Sequence, residues 1–150
     1  MTAKLKTVSP VDGSVYVERS YADESDIASA LSQAVRAAEV WREVPVEERA
    51  AICGRAIDTM VTAKDGIAEE ITWQMGRPIR YTAGEVNGLE ERARHMIAVA
   101  PDALHDTPAE EKDGFTRFIR REPLGVVFII APWNYPYLTS VNSVIPALMA

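Results

Sequence analysis

The fold is decided by the stretch Gly125-Val126-Val127-Phe128-Ile129-Ile130-Ala131-Pro132-Trp133-Asn134-Tyr135-Pro136, near the C-terminus of the chain. Residues 126–131 are consecutive apolar residues without polar alternation, which predicts a strand covered on both faces, as in a parallel α/β sheet. Pro132 has no amide hydrogen to donate to a neighbouring strand, so the strand should end there. Ligands of open α/β sheets bind beyond the carboxyl ends of the strands, so residues 133–135 are predicted to lie where a cofactor or substrate is held.

Composition and charge limit the classes of function. The chain has 150 residues, of which 47% are hydrophobic and 25% charged, and its net charge is −6, as in an ordinary soluble globular domain. An acidic chain lacks the clustered Lys and Arg that bind phosphate backbones, so no nucleic-acid partner is expected. Because the sequence contains neither a membrane-length apolar stretch nor a signal-peptide core, we expect a cytoplasmic protein with no membrane partner. A single cysteine fits a reducing compartment.

Local patterns predict a hairpin followed by helices. Two alternating runs at 4–8 and 14–20 flank Asp12-Gly13, a dipeptide typical of tight turns. Four segments follow in which apolar residues recur at helical spacing, here called helical stripes, and each predicts a helix. Their boundaries are marked by capping or helix-breaking residues, namely Asp23 and Pro45 at two starts, Gly76 at a stop, and Pro101 as the predicted end of the fourth helix.

The region between the fourth helical stripe and the C-terminus is predicted to be mostly irregular and extended. Residues 106–114 read as an exposed acidic loop. Residues 115–121 mix aromatic residues with arginines between two breakers, which suits an edge strand. Residues 137–150 form a helical pattern that Pro146 should interrupt.

The stretch quoted above resembles the signature of the NAD(P)-dependent aldehyde dehydrogenases, Pro-x-Gly-Val, an apolar strand, and then Pro-Trp-Asn-aromatic-Pro. Weaker landmarks of that family occur earlier in the same order, at Ser9-Pro10-x-Asp12-Gly13, Trp41 and Gly76-Arg77-Pro78. The resemblance implies an α/β fold, the N-terminal part of an aldehyde-dehydrogenase-like fold in which a hairpin and helices lead into a Rossmann-like parallel sheet. It assigns 1–113 to the hairpin and helices of the cofactor-binding domain, 114–125 to an oligomerisation arm strand, and 126–150 to the first strand, turn and helix of the Rossmann-like core.

The resemblance also implies a reaction, the oxidation of a small-molecule aldehyde to a carboxylic acid through a cysteine thiohemiacetal, with NAD or NADP as cofactor. Asn134 would donate its side-chain amide to the oxyanion, a role that suits a donor that neither titrates nor reacts. From the residues alone, Asn134 could equally be a turn residue that bonds its own backbone. The matching positions are Ile130, Ala131, Pro132, Trp133 and Asn134 for the cofactor, and Tyr135, Leu138 and Asn142 for the substrate tunnel.

Two positions depart from the family pattern. Ser143 stands where many relatives carry a Lys that is thought to assist proton transfer, so that auxiliary role is not expected. Asn142 stands where relatives that select succinate semialdehyde often carry an Arg. A neutral Asn cannot form the charge-assisted pair with a distal carboxylate, so dicarboxylic semialdehydes are disfavoured as substrates.

The other residues that could carry chemistry are predicted to have structural roles. Cys53 lies on an apolar helical stripe, which predicts a core residue instead of a nucleophile. Trp41 and Trp73 also fall on helical stripes and are expected in the core. His95 and His105 have no partner at metal-ligand spacing, so no metal site is predicted.

The family's catalytic Cys, its Glu base and its glycine-rich dinucleotide segment have no match within 1–150. The chain is therefore expected to be truncated and inactive alone, and the complete protein to be a homo-oligomer, either a dimer or a tetramer. Two alternatives stay open: a non-catalytic assembly or binding module, and an acylating or acyl-phosphate-reducing relative.

Overall fold

The computed structural model describes residues 3–150, and it begins with the predicted hairpin. Strands β1 (Lys4–Val8) and β2 (Val15–Ser20) pair antiparallel, with an irregularity at the end of β1. In the turn, Gly13 has a φ of 78°, a left-handed conformation that glycine adopts without steric strain. The Asp12 carboxylate accepts a hydrogen bond of 2.9 Å from the Ser14 amide, which closes the turn that the sequence predicts.

Within residues 3–150, helices make up most of the fold. They are α1 (Glu24–Trp41), α2 (Val46–Thr62), α3 (Lys64–Met75), α4 (Ile79–Leu104) and α5 (Pro136–Met149). The predicted signals at the first three are confirmed: Asp23 forms a capping box with Asp26, α2 follows Pro45, and α3 ends at Gly76 with a φ of 84°.

Two prolines do not end their helices where the sequence predicted. Helix α4 continues through Pro101 to Leu104, and α5 continues through Pro146 to Met149. Each proline lies in the last turn, so it removes one intrahelical hydrogen bond without affecting later turns. Ala100 and Ile145, the residues that precede the two prolines, are buried, so tertiary packing of both last turns favours the helical conformation there.

The core lies between α2, α4 and α5. Its buried members come from all three helices and are Cys53, Ile57, Leu89, Ala93, Ala100, Val141, Ile145 and Met149. Helices α4 and α5 approach closely because Gly88 faces Leu138, and a Cβ at that glycine would collide with the leucine side chain. This packing fixes the axis of α5.

Trp41 and Trp73 are half-buried at contacts between elements, instead of lying fully in the core. Trp41 donates from Nε1 to the Leu148 carbonyl at 2.8 Å. Trp73 stacks on Tyr16 of the hairpin, with ring centroids 5.8 Å apart. Their amphipathic rings therefore join α1 to α5 and α3 to the hairpin.

The predicted buried strand at 126–131 has no strand partner in the described part of the chain. These residues carry no regular secondary structure, and Phe128 and Ile130 are 87% and 81% exposed. The sheets within residues 3–150 are the hairpin and a second small pair, β3 (Thr107–Pro108) with β4 (Phe118–Ile119). A strand requires a hydrogen-bonded neighbour, so the apolar run cannot form one by itself.

The β3–β4 pair corrects the predictions for the segment before the apolar run. Strand β4 is shorter than the edge strand predicted at 115–121, and β3 lies inside the predicted loop at 106–114. All residues from 107 to 128 are exposed. A two-residue ladder without a buried face adds little stability, which explains why pairing extends no further.

Candidate active site

The candidate site is the turn between the apolar run and α5, which carries Asn134. This residue is exposed, and its backbone carbonyl accepts a hydrogen bond from Arg77 Nη2 at 2.7 Å. Its side-chain amide has no hydrogen-bond partner among residues 3–150. The structure therefore does not place Asn134 in the alternative role of a turn residue that bonds its own backbone, and the amide is free to donate to a ligand.

Arg77 connects the Asn134 turn to the body of the protein. It follows the Gly76 stop of α3, and its Nη1 donates to Glu85 Oε2 at 2.8 Å. The guanidinium carbon lies 4.0 Å from the centroid of the Tyr135 ring, within range of a cation–π interaction. The Arg77 side chain thus contacts Asn134 and Tyr135 in the turn and the Glu85 carboxylate on α4.

The Glu85 carboxylate caps the N-terminus of α5. Its side chain is fully buried, and Oε1 accepts hydrogen bonds from the amides of Tyr137 at 3.2 Å and Leu138 at 3.3 Å. Tyr135, at the N-cap position, makes no side-chain capping bond. A carboxylate at the positive end of a helix dipole is stabilising.

Helix α5 is also bound at its C-terminal end. Arg49 Nη1 donates to the Met149 carbonyl at 2.8 Å, and Trp41 donates to the Leu148 carbonyl. A negative group at the start of the helix and a positive group at its end both match the macrodipole. Helix α5, and the turn before it, are therefore held from both ends.

The structure brings together two of the predicted substrate residues and separates them from Asn142 and from Trp133, a predicted cofactor residue. Tyr135 and Leu138 line a cleft of about 480 Å³ whose other walls are Arg77, Tyr81, Gly84 and Glu85. Trp133 lines a different cleft, beside α3. Asn142 donates to the Leu138 carbonyl at 3.3 Å and lines neither cleft.

Sequence reasoning missed Arg77 and Glu85 as site residues. In the sequence, Arg77 stands out only as part of the Gly76-Arg77-Pro78 landmark. For Glu85 a signal was available, because it shares the helical face of Thr82, Val86 and Leu89, all of which are buried. A carboxylate on a buried face requires a partner, and that requirement could have marked the position.

Cys53 is a core residue, as predicted. It is 2% exposed and packs in the cluster between α2, α4 and α5. Burial raises the pKa of its thiol, with the positive charge of Arg49 opposing the shift only in part. Because the thiolate is the nucleophilic form, this cysteine is poorly suited to attack an aldehyde.

We expect the Cys53 thiol to resist a disulfide-exchange reagent at neutral pH in the folded protein and to react fully after denaturation. If the complete protein has the activity that the resemblance implies, Cys53→Ala should leave its turnover number nearly unchanged, because a thiol buried in the core cannot reach a substrate. Thiol titration with and without denaturant tests the first statement, and steady-state kinetics test the second. A collapse of turnover in a folded Cys53→Ala protein would show that the thiol was misassigned.

The described residues offer no other obvious chemical centre. Across 3–150, no three or more His, Cys, Asp or Glu side chains are grouped so that they could bind a metal ion. In the same range, every helix is either too short or too polar to cross a membrane.

The chain as a whole is similar to known proteins in sequence and in fold. Residues 1–150 match the model of the aldehyde dehydrogenase family. The chain is 34% identical over 142 residues to an aldehyde dehydrogenase of Deinococcus radiodurans, which covers 95% of this chain and 28% of the relative. It is 31% identical to a succinate-semialdehyde dehydrogenase [NADP(+)] of the same organism, covering 95% of this chain and 30% of the relative.

Solved structures show the same similarity. The crystal structure of PnpE in complex with nicotinamide adenine dinucleotide superposes with a TM-score of 0.89 at 28% identity, over 99% of this chain and 30% of that chain. An aldehyde dehydrogenase of Brucella melitensis superposes with a TM-score of 0.90 at 26% identity, over 99% of this chain and 31% of that chain. The chain thus spans less than a third of the length of these relatives.

Proposed function

Because the chain belongs to the aldehyde dehydrogenase family, we propose that the complete protein containing it oxidises an aldehyde to a carboxylic acid with NAD or NADP. The observation that carries this proposal is the Asn134 turn, where an exposed side-chain amide, unbonded within residues 3–150, extends from a backbone held by Arg77. When a thiol attacks an aldehyde, the carbonyl oxygen becomes an oxyanion. A preorganised neutral donor stabilises that charge as it develops.

The thiol and the base for deacylation would come from residues outside 1–150. Cys53 is buried and its pKa is raised, so it does not supply the nucleophile. In this proposal the chain contributes the oxyanion donor and one wall of the substrate cleft, formed by Tyr135 and Leu138.

The residues before the turn fit the nicotinamide-ribose end of a dinucleotide. The backbone groups of Ile130 and Ala131 make no hydrogen bonds within residues 3–150, and the Ile130 and Trp133 side chains are 81% and 74% exposed. Backbone donors and acceptors together with apolar surface are what such a group needs. When bound, NAD(P) supplies the hydride acceptor, and residues 130–133 would orient it beside Asn134.

The neutral Asn142 argues for aldehydes without a distal carboxylate. Its amide bonds the Leu138 carbonyl, and it offers no positive charge. Succinate semialdehyde should therefore be used with a higher KM than an uncharged aldehyde of the same length.

The proposal is tested by assaying the complete protein for aldehyde-dependent NAD(P)H formation. We expect turnover that needs neither coenzyme A nor phosphate, and none from residues 1–150 alone. A requirement for coenzyme A or phosphate would identify an acyl-transferring relative instead. If the reading frame ended at Ala150, or continued without a downstream Cys and Glu, the non-catalytic alternative would be favoured.

We also propose that the arm at 114–125 is an assembly element of a homo-oligomer. Phe115, Phe118 and Ile119 are 64%, 45% and 66% exposed, and Arg120 lies over the Phe118 ring at 4.8 Å. Exposed aromatic residues beside arginine are typical of protein interfaces. An uncovered strand edge is also an aggregation hazard that assembly would remove.

In the complete protein, Phe118→Asp is expected to shift the oligomer toward smaller species, because a carboxylate would have to be desolvated at the interface. Sedimentation velocity measures the change. Phe118→Leu, which keeps an apolar side chain, is the control and should preserve assembly. An unchanged oligomer with native stability in the Asp variant would remove the proposal.

A further inference from the structure

Arg77 and Glu85 form an ion pair that is largely shielded from solvent. The Glu85 side chain is 0% exposed and that of Arg77 is 13% exposed, and their atoms lie 2.8 Å apart. A buried ion pair is often no more stabilising than apolar residues of the same size, so its presence suggests a role in fixing a particular arrangement.

The Glu85 carboxylate is the acceptor that the first turn of α5 uses. Pro136 has no amide hydrogen, and Tyr135 provides no side-chain cap. The amides of Tyr137 and Leu138 both donate to Glu85 Oε1. Without this acceptor those donors would be unsatisfied, and the first turn would be free to fray.

The Arg77 guanidinium extends this link to the turn itself. One nitrogen binds the second oxygen of Glu85, and the other binds the Asn134 carbonyl at 2.7 Å. The guanidinium carbon of Arg77 also lies 4.0 Å from the centroid of the Tyr135 ring. Because the guanidinium fork is rigid, these contacts fix the Asn134 backbone relative to α4. None of these contacts uses the Asn134 side-chain amide.

We propose that Arg77 and Glu85 are positioning residues that hold the Asn134 turn and the start of α5 in the geometry that presents the Asn134 amide to the substrate oxyanion. This inference rests on the proposed function of Asn134. In this inference Arg77 and Glu85 act through Asn134, and their places in the wall of the cleft beside Tyr135 and Leu138 are a separate contact. The loss of either should lower kcat more than it changes KM for NAD(P), since an oxyanion donor acts in the transition state.

The test uses the complete enzyme with the paired substitution Arg77→Met/Glu85→Met, which removes both charges and leaves neither one buried alone. The matched control is Arg80→Met, since Arg80 is exposed and lies over Tyr81 instead of contacting the turn. Hydrogen exchange of the peptide that spans 133–138 reports on the turn without reference to activity. We expect exchange there to accelerate about tenfold or more in the paired variant, and to be unchanged in Arg80→Met.

Steady-state kinetics then test whether the loss of kcat in the paired variant depends on the Asn134 side chain. The paired variant is made in the wild-type background and in the Asn134→Ala background, which forms a double-mutant cycle. In the wild-type background kcat should fall about tenfold or more, and in the Asn134→Ala background it should fall no further. Arg77→Lys, which keeps the charge but loses the fork that bridges Glu85 and the Asn134 carbonyl, should give a kcat between those of the wild type and the paired variant.

Equal losses of kcat in the two backgrounds, or unchanged exchange at 133–138, would overturn the inference. Near-wild-type turnover of Asn134→Ala alone, with accelerated exchange in the paired variant, would instead remove the proposed function of Asn134 while leaving the physical link intact. If the paired variant does not fold, Glu85→Gln carries the same two measurements. It keeps the shape and removes the charge that Arg77 and α5 both bind.

Discussion

Replacing Asn134 by Ala in the complete enzyme is expected to lower turnover by about a hundredfold or more, the scale associated with loss of one oxyanion donor. The affinity for NAD(P) should change little. The amide binds charge that develops only after thiol attack, so its loss raises the energy of the transition state more than that of the ground state. Steady-state kinetics with NAD(P) titration on the folded variant provide the measurement.

Two further variants make the Asn134 result specific. Asn134→Asp should be at least as harmful, because a carboxylate repels the oxyanion instead of donating to it. Asn87→Ala is the matched control, since Asn87 is an exposed amide on α4 that accepts a hydrogen bond from Lys64 at 3.2 Å, away from the turn. Near-wild-type turnover of Asn134→Ala would reduce Asn134 to a turn residue and remove the mechanism proposed for this protein.

Leu89→Ala is expected to lower the free energy of unfolding of the chain by about 2–5 kcal/mol. Leu89 is 5% exposed and belongs to the core cluster between α2, α4 and α5. The substitution removes buried methyl groups and leaves a cavity, and both effects destabilise the folded state. Denaturant titration followed by circular dichroism measures the change as a shift in the midpoint.

Leu124→Ala provides the control for the core substitution. Leu124 is 95% exposed, so its truncation should change the free energy of unfolding by no more than about 0.5 kcal/mol. If Leu89→Ala had an equally small effect, the arrangement of α2, α4 and α5 described above would be wrong.

Sequence patterns predicted the local elements well because each one is specified by residues close together in the chain. Asp12 and Gly13 define the hairpin turn, Asp23 provides the cap of α1, and Gly76 ends α3. Such signals depend on backbone conformation and hydrogen bonds within a few residues. The same reasoning misplaced the ends of α4 and α5, where burial of the last turn outweighs the local effect of Pro101 and Pro146.

The sequence by itself therefore determined the hairpin, the helices and, through a recognisable signature, the family to which the Asn134 turn points. Only the tertiary structure brought Arg77 to that turn and Glu85 to the first turn of α5, across separations of 57 and 52 residues. Only the tertiary structure, too, left the apolar run at 126–131 without a paired strand in the described chain. Periodicity reveals which face of an element is apolar. The partner of a buried charge or of a strand is decided by how the helices pack and which strands lie alongside, and no local pattern encodes that choice.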